Sequence, residues 1–172
     1  ENEIIKDIVI IGAGGLAREV AFLIDDINRK LPTWRILGFV EAEKRQVGVK
    51  LGDYSIICTD DELLEMNVAA AIGIGNPIII KKIADRFKDY SNISFPNLVH
   101  PDTVWDQDRI TLGQGNIICA RNIFTTDIRI GSFNYFNLNC TYGHDVEINN
   151  YCVFNPGINL SGGVSIGNQC FV

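Results

Sequence analysis

Residues 112–172 read LGQGNIICARNIFTTDIRIGSFNYFNLNCTYGHDVEINNYCVFNPGINLSGGVSIGNQCFV. Every sixth residue gives Leu112, Ile118, Phe124, Ile130, Phe136, Tyr142, Ile148, Phe154, Leu160, Ile166 and Val172. All are large and apolar or aromatic. A helix repeats every 3.6 residues and a strand every 2, so neither produces this series. The residue after each is small or polar, as in Gly113, Cys119, Thr125, Gly131, Asn137 and Gly143. Leu112-Gly113, Ile130-Gly131, Ile148-Asn149 and Ile166-Gly167 then recur at intervals of 18. Three hexads therefore make one turn of a triangular coil, the hexapeptide parallel β-helix.

The period carries further expectations. The large apolar residue points into the prism. Gly and Asn serve at the corners, because they accept left-handed backbone angles. Asn side chains stack into amide ladders. Cys152 and Cys170 are 18 apart, so they stack as free thiols.

The residues before the repeats differ in kind. Ile8-Val9-Ile10-Ile11 is a continuous apolar run, as in a buried parallel strand. Gly12-Ala13-Gly14-Gly15-Leu16-Ala17 follows at once, and Glu19–Ile27 reads as a helix. Arg35–Val40 and Val68–Ile74 read as further strands, and a helix follows to about Tyr90. This alternation is parallel α/β. The glycines fit G-x-G-x-x-A between strand and helix. There, backbone N–H groups and a helix N-terminus favour an anion. Glu41 closes the second strand, where a carboxylate can reach ribose hydroxyls. The unit is too short for a full dinucleotide fold plus a substrate domain. A mononucleotide or nucleotide-sugar suits it better. The fold class is thus α/β plus β-solenoid: a small Rossmann-like domain over residues 1–95, then a left-handed parallel β-helix over 96–172.

Charge follows the same division. Of 172 residues, 15 are basic and 21 acidic, a net charge of −6. All of that excess lies before residue 109. Beyond it stand only Arg109, Arg121, Arg129, Asp127, Asp145 and Glu147. An acidic chain is a poor nucleic-acid binder. No apolar run reaches membrane-span length. With five cysteines, no C-x-x-C pair and no leader segment, reduced packed thiols in a cytoplasm are expected, with no metal.

Two histidines are present. His100, in Val99-His100-Pro101, reads as structural. His144 lies two residues after the inward Tyr142, so it points outward near a corner, beside Asp145. A His next to a carboxylate on a charge-poor face is a candidate general base. An exposed turn histidine fits the same residues.

With these residues in view, the chain resembles the hexapeptide-repeat sugar acyltransferases. They include the sialic acid O-acetyltransferases and the bacillosamine- and perosamine-type nucleotide-sugar N-acetyltransferases. The matching stretches are Ile8–Val20, Leu37–Glu41, Ala71–Pro77, Phe95–Pro101 and Gly143-His144-Asp145. The resemblance implies an acetyl-CoA-dependent acetyltransferase acting on an amino or hydroxyl group of a nucleotide-linked sugar. It implies His144 as general base with Asp145, and the Gly162 N–H as oxyanion donor toward acetyl-CoA. It implies a sugar contact from Asn137, and nucleotide contacts from Gly12, Gly14, Gly15 and Leu16. Glu41, Gly73 and Asn76 belong to the same substrate-binding group. It also implies a homotrimer with sites between neighbouring prisms.

Several positions depart from the family pattern. Glu41-Ala42-Glu43 stands where paired acids are usual, Ile80 where a basic residue is common, and Val153 where a second His is frequent. The frame stops at the inward Val172, about two coils short of the family, so a longer natural protein is expected. Two alternatives are a non-catalytic trimeric binding or assembly module of sugar biosynthesis, and a nicotinamide-dependent oxidoreductase.

Overall fold

The computed structural model describes residues 4–172. The chain forms two compact units. One comprises residues up to 74 with 83–96, the other residues 75–82 with 97–172.

The first unit begins with β1 (Lys6–Ile11), α1 (Gly15–Lys30) and β2 (Trp34–Glu41). There follow β3 (Lys50–Leu51), β4 (Tyr54–Thr59), α2 (Asp60–Leu63) and β5 (Val68–Ile72). Helix α3 (Pro77–Phe87), whose residues from 83 onward belong to this unit, and β6 (Ile93–Ser94) complete the series. The sheet order is β3-β4-β2-β1-β5-β6. All pairs are parallel except β3 with β4. The apolar run Ile8–Ile11 lies in the centre and is buried, as a strand covered on both faces must be. Helix α1 buries Ala17, Val20, Ala21, Leu23 and Ile24. It begins at Gly15, earlier than its apolar pattern announces, because its first turn has an exposed side with nothing to pack.

Local caps fix the short elements. The Thr59 hydroxyl accepts from the Glu62 N–H, and the Glu62 carboxylate accepts from the Thr59 N–H at 2.8 Å. Those bonds hold the Glu62 carboxyl below its usual range. Asn76 Oδ1 accepts from Ile78 N–H at 3.0 Å and caps α3, with Pro77 as its first residue.

The second unit is a coil of short strands. Its first turn has β7 (Leu98–Val99), β8 (Val104–Trp105) and β9 (Ile110–Leu112). The next has β10 (Ile117–Ile118), β11 (Ile123–Phe124) and β12 (Ile128–Ile130). The third has β13 (Tyr135–Phe136), β14 (Thr141–Tyr142) and β15 (Glu147–Ile148). The last has β16 (Val153–Phe154), β17 (Asn159–Leu160) and β18 (Ser165–Ile166). Every third strand pairs in parallel, giving three four-stranded sheets. This is the left-handed parallel β-helix that the period of six predicts. The frame reaches further back than Leu112, to Trp105 and Val99. One extra residue falls in a short 3₁₀ turn at Gln107–Arg109. Pairing before that turn is offset by 19, as in Val104↔Ile123, and after it by 18, as in Ile110↔Ile128.

The sixth residues fill the prism. Ile118, Phe124, Ile130, Phe136, Tyr142, Ile148 and Phe154 are buried in one cluster. Phe124 stacks on Tyr142 at 4.5 Å and Phe136 on Phe154 at 5.1 Å. The two columns meet edge to face, as ring quadrupoles favour. Burial pushes the Tyr142 phenol far above its usual range.

The corners differ from expectation. Left-handed backbone recurs every six residues at Gly115, Arg121, Asp127, Phe133, Asn139, Asp145, Tyr151, Gly157, Gly163 and Gln169. Only four of these are Gly or Asn, so the residue after each inward side chain is not the left-handed one. In-register pairing to both neighbouring coils holds the strained residues in place, at roughly 1–2 kcal/mol each for a non-glycine. The glycines after the inward residues answer a different need. A Cβ on Gly113 would lie 2.5 Å from Gly131 O, and one on Gly131 would lie 2.7 Å from Asn149 O. Close stacking of coils, not backbone angle, demands glycine there.

The amide ladder is present. Asn116 Nδ2 donates to Asn97 Oδ1 at 3.1 Å, and Asn134 Nδ2 to Asn116 Oδ1 at 3.0 Å. Asn134 Oδ1 in turn accepts from the Cys152 N–H at 2.8 Å. All five cysteines are free, and only Cys170 is incompletely buried. Burial pushes the Cys152 thiol up to about 11. Among the described residues no helix is long and apolar enough to cross a membrane.

Candidate active site

One corner of the coil holds Thr125-Thr126-Asp127, Gly143-His144-Asp145 and Ser161-Gly162-Gly163 on successive turns. The inward Tyr142 ends its strand, and Asp145 takes the left-handed angle, φ 59°. His144 is thereby thrown outward, as expected, with 69% of its side chain exposed. Its Nδ1 lies 2.8 Å from Asp145 Oδ2. A carboxylate there keeps the proton on Nδ1 and leaves the Nε2 lone pair free.

The pair is fastened from both sides. Asp145 N–H donates to Thr126 O at 3.2 Å on the preceding turn. Gly163 N–H donates to His144 O at 2.8 Å from the following turn. The ring lies directly over Gly162, where a Cβ would meet Nε2 at 2.5 Å. The Gly162 N–H has no acceptor among the described residues. An imidazole nitrogen and a free backbone donor thus share one open corner.

Charge gathers at the same place. Of the six charged residues beyond position 108, five line one hollow of about 360 Å³ beside this corner. They are Arg109, Asp127, Arg129, Asp145 and Glu147. Arg109 bonds Asp127 Oδ1 at 2.6 Å and Thr126 Oγ1 at 3.1 Å. Arg129 bonds Glu147. The Glu147 bond, with Asp145 adding to it, raises the Arg129 guanidinium further. Sequence reading noted that these charges are few but not that they converge. The signal was their spacing, since 109, 127 and 145 differ by 18.

His100 is a different histidine. Its side chain is mostly buried, with Nδ1 2.5 Å from Asp102 Oδ1 and in reach of the Asp102 N–H. It locks the turn after Val99. Asn137 also stands apart from His144. It lies at the other end of the side that carries β14, and its Oδ1 accepts from the Leu138 N–H at 2.8 Å. Val153 is buried, so no second histidine flanks the corner.

A second hollow lies in the α/β unit. It has a volume of about 350 Å³, lined by Ala13, Gly14, Glu41, Glu43, Arg45 and neighbouring apolar residues. The glycine turn and Glu41 therefore meet, as expected. Gly12 (φ 107°) is required by the fold, since a Cβ would strike Ile74 and Gly73. Gly73 is required too, because a Cβ would lie 2.7 Å from Ala17 Cα. Gly14 and Gly15 have no such neighbour and open to solvent at the start of α1. Leu16 sits half-buried in its first turn. Arg45, bonded to Glu43 at 2.5 Å, was not foreseen, because it sits in a single 3₁₀ turn, Lys44–Gln46, just after a strand end. Asn76 is not among the residues lining this hollow. Among the described residues no group of three or more His, Cys, Asp or Glu could hold a metal.

Known proteins share this build. Residues 7–87 match the PglD N-terminal domain family. The GDP-perosamine N-acetyltransferase of Escherichia coli O157:H7 is 25% identical over 183 aligned residues, 95% of this chain and 73% of that protein. Two solved structures share the fold. PerB from Caulobacter crescentus, in complex with CoA and GDP-perosamine, is 24% identical with a TM-score of 0.81. That match covers 99% of this chain and 79% of PerB. The acetyltransferase domain of PglB from Neisseria gonorrhoeae FA1090 is 23% identical with a TM-score of 0.85, over 97% of this chain and 79% of that domain. The α/β unit thus matches the PglD N-terminal domain family over residues 7–87, and the chain as a whole is similar to a GDP-perosamine N-acetyltransferase over 95% of its length.

Proposed function

We propose that the chain is an acetyl-CoA-dependent N-acetyltransferase acting on a nucleotide-linked amino sugar. The observation that carries this is the His144 ring held over Gly162 with its Nδ1 on Asp145. In this reading the sugar amine attacks the thioester carbonyl of acetyl-CoA. As the C–N bond forms, the amine proton passes to His144 Nε2. The Gly162 N–H donates to the oxygen that gains charge. The C–S bond then breaks, and CoA leaves as the thiol, taking the proton from His144. Asp145 stabilises the imidazolium in between.

The acceptor's nucleotide belongs in the α/β hollow, its phosphates toward Gly14, Gly15 and Leu16 and its ribose toward Glu41. Gly12, Gly73 and Asn76 shape that turn and α3. The amine is preferred over a hydroxyl because the curated relative, a GDP-perosamine N-acetyltransferase, acts on an amine. We assign residues 1–95 to nucleotide binding and 96–172 to transfer. We further propose a homotrimer. In a three-fold assembly, Asn137 of one copy can serve the sugar at His144 of the next, which would account for their separation in one chain.

The test is CoA thiol release from acetyl-CoA with GDP-perosamine as the first acceptor and other nucleotide amino sugars alongside. Release that depends on acceptor and disappears in His144→Ala is expected. Undiminished release in His144→Ala would remove His144 from the reaction. The mass in solution tests the trimer.

A further inference from the structure

We infer that Arg109 is a positioning residue for the His144–Asp145 pair, acting through Thr126 and Asp127. The inference rests on the reading of His144 as the base only for its consequence in catalysis. Its geometry stands alone.

Three observations converge. First, Arg109 makes two bonds to the neighbouring turn, to Thr126 Oγ1 at 3.1 Å and Asp127 Oδ1 at 2.6 Å. The carbonyl of the same Thr126 takes the Asp145 N–H at 3.2 Å. Arg109 thus grips the segment from which the dyad's acid hangs. Second, Asp127 and Asp145 are 18 residues apart in the same left-handed corner position, φ 57° and 59°. Two carboxylates on consecutive turns of one corner repel. Arg109 neutralises the outer one, so Asp145 is left to serve His144. Third, Arg109 stands 18 residues before Asp127, one full circuit of the coil, at the end of the 3₁₀ turn Gln107–Arg109. In-register pairing begins at the next residue, Ile110↔Ile128, and holds the guanidinium over the corner of the next turn.

The charged groups around the pair are Asp127 from the preceding turn, Arg109 from the turn before that, and Arg129 and Glu147 from β12 and β15. The following turn offers Ser161, Gly162 and Gly163, none of them charged. Removing Arg109 therefore makes the surroundings of His144 more negative. The imidazolium gains, and the titration midpoint of His144 rises.

The test is an NMR titration of the imidazole Cε1–H in the whole chain, which has two histidines to distinguish. Arg109→Gln should raise the His144 midpoint by roughly 0.3–0.5 pH units at low ionic strength, less in 0.5 M salt. Adding Asp127→Asn should bring it back. Arg121→Gln, which removes the same charge at another corner, should leave it in place. With acetyl-CoA and GDP-perosamine, Arg109→Gln should lower kcat about tenfold at little change in KM for acetyl-CoA. It should also move the acid limb of the rate profile upward in pH. Arg109→Lys should restore the midpoint and part of the rate. A midpoint that Arg109→Gln leaves no more displaced than Arg121→Gln, or that Asp127→Asn fails to return, overturns the inference. Full turnover in His144→Ala would overturn the catalytic reading and leave the titration result standing.

Discussion

The ring of His144 lies on Gly162, eighteen residues later, so closely that one methyl group on Gly162 would come within 2.5 Å of Nε2. Gly162 itself is not in a left-handed conformation. Its lack of a side chain is therefore a matter of space above it and not of backbone. Gly162→Ala should fold normally and tilt the imidazole away. We expect a loss of 10-fold or more in transfer with Tm within about 2 °C of the parent, read by thiol release and thermal unfolding.

Removal of the ring should separate chemistry from folding more sharply. His144→Ala is expected to lower kcat by ~10²-fold or more, since a positioned base contributes that much. The side chain is exposed, so unfolding should be unchanged. Asp145→Asn retains the shape and removes the charge from Nδ1. Its loss should be smaller, about 10-fold, because solvent can partly replace an exposed carboxylate.

The buried amide ladder predicts a stability effect with no site involved. Asn134 bonds Asn116, the Asn149 carbonyl and the Cys152 N–H. Asn134→Leu would leave the Cys152 N–H and the Asn149 carbonyl unpaired inside the prism. Each orphan costs about 1–3 kcal/mol. A loss of about 3 kcal/mol in urea unfolding is expected. A loss below 1 kcal/mol would mean that the ladder contributes little.

Thiol reactivity offers a pH test. The thiolate is the reactive form, and burial lifts Cys152 to about 11. Its alkylation by iodoacetamide should keep rising through pH 10, where an ordinary cysteine has already levelled off. Site-resolved mass spectrometry reads the profile. A plateau near pH 9 at Cys152 would contradict the burial described for it.

The glycine turn makes a prediction about ligand alone. Gly14 has open space where a side chain would stand, and it precedes the first turn of α1. Gly14→Asp should fold unchanged and repel a phosphate. KM for the nucleotide-sugar should rise 10-fold or more, while KM for acetyl-CoA should hold.

The period of six made the coil legible because every inward position shares one environment. Phe124, Tyr142 and Leu160 face one interior, so their chemistry had to agree. His144-Asp145 was legible for the opposite reason, as a break in a charge-poor surface. The corner residues were not legible. Arg121, Phe133 and Tyr151 hold the left-handed angle because pairing above and below leaves no alternative, and composition carries no trace of that. Strand β3 is not legible because Lys50–Leu51 is too short to show alternation. The role of Arg109 was hidden because its spacing of 18 from Asp127 falls on outward charged positions, which the apolar period of six does not mark.

The extra residue of the first coil has a wider meaning. Pairing resumes at Ile110↔Ile128 as though nothing had been added, so the slack is taken up within one 3₁₀ turn. Length changes at a corner are thus local events. A change within a side would instead exchange inward and outward residues for the rest of that strand. Since His144 and Gly162 are one circuit apart, their meeting depends only on the count between them. The corner loops upstream are free to vary in length and sequence while the His144–Gly162 contact stays fixed, which gives this scaffold room to change what it recognises without rebuilding where it reacts.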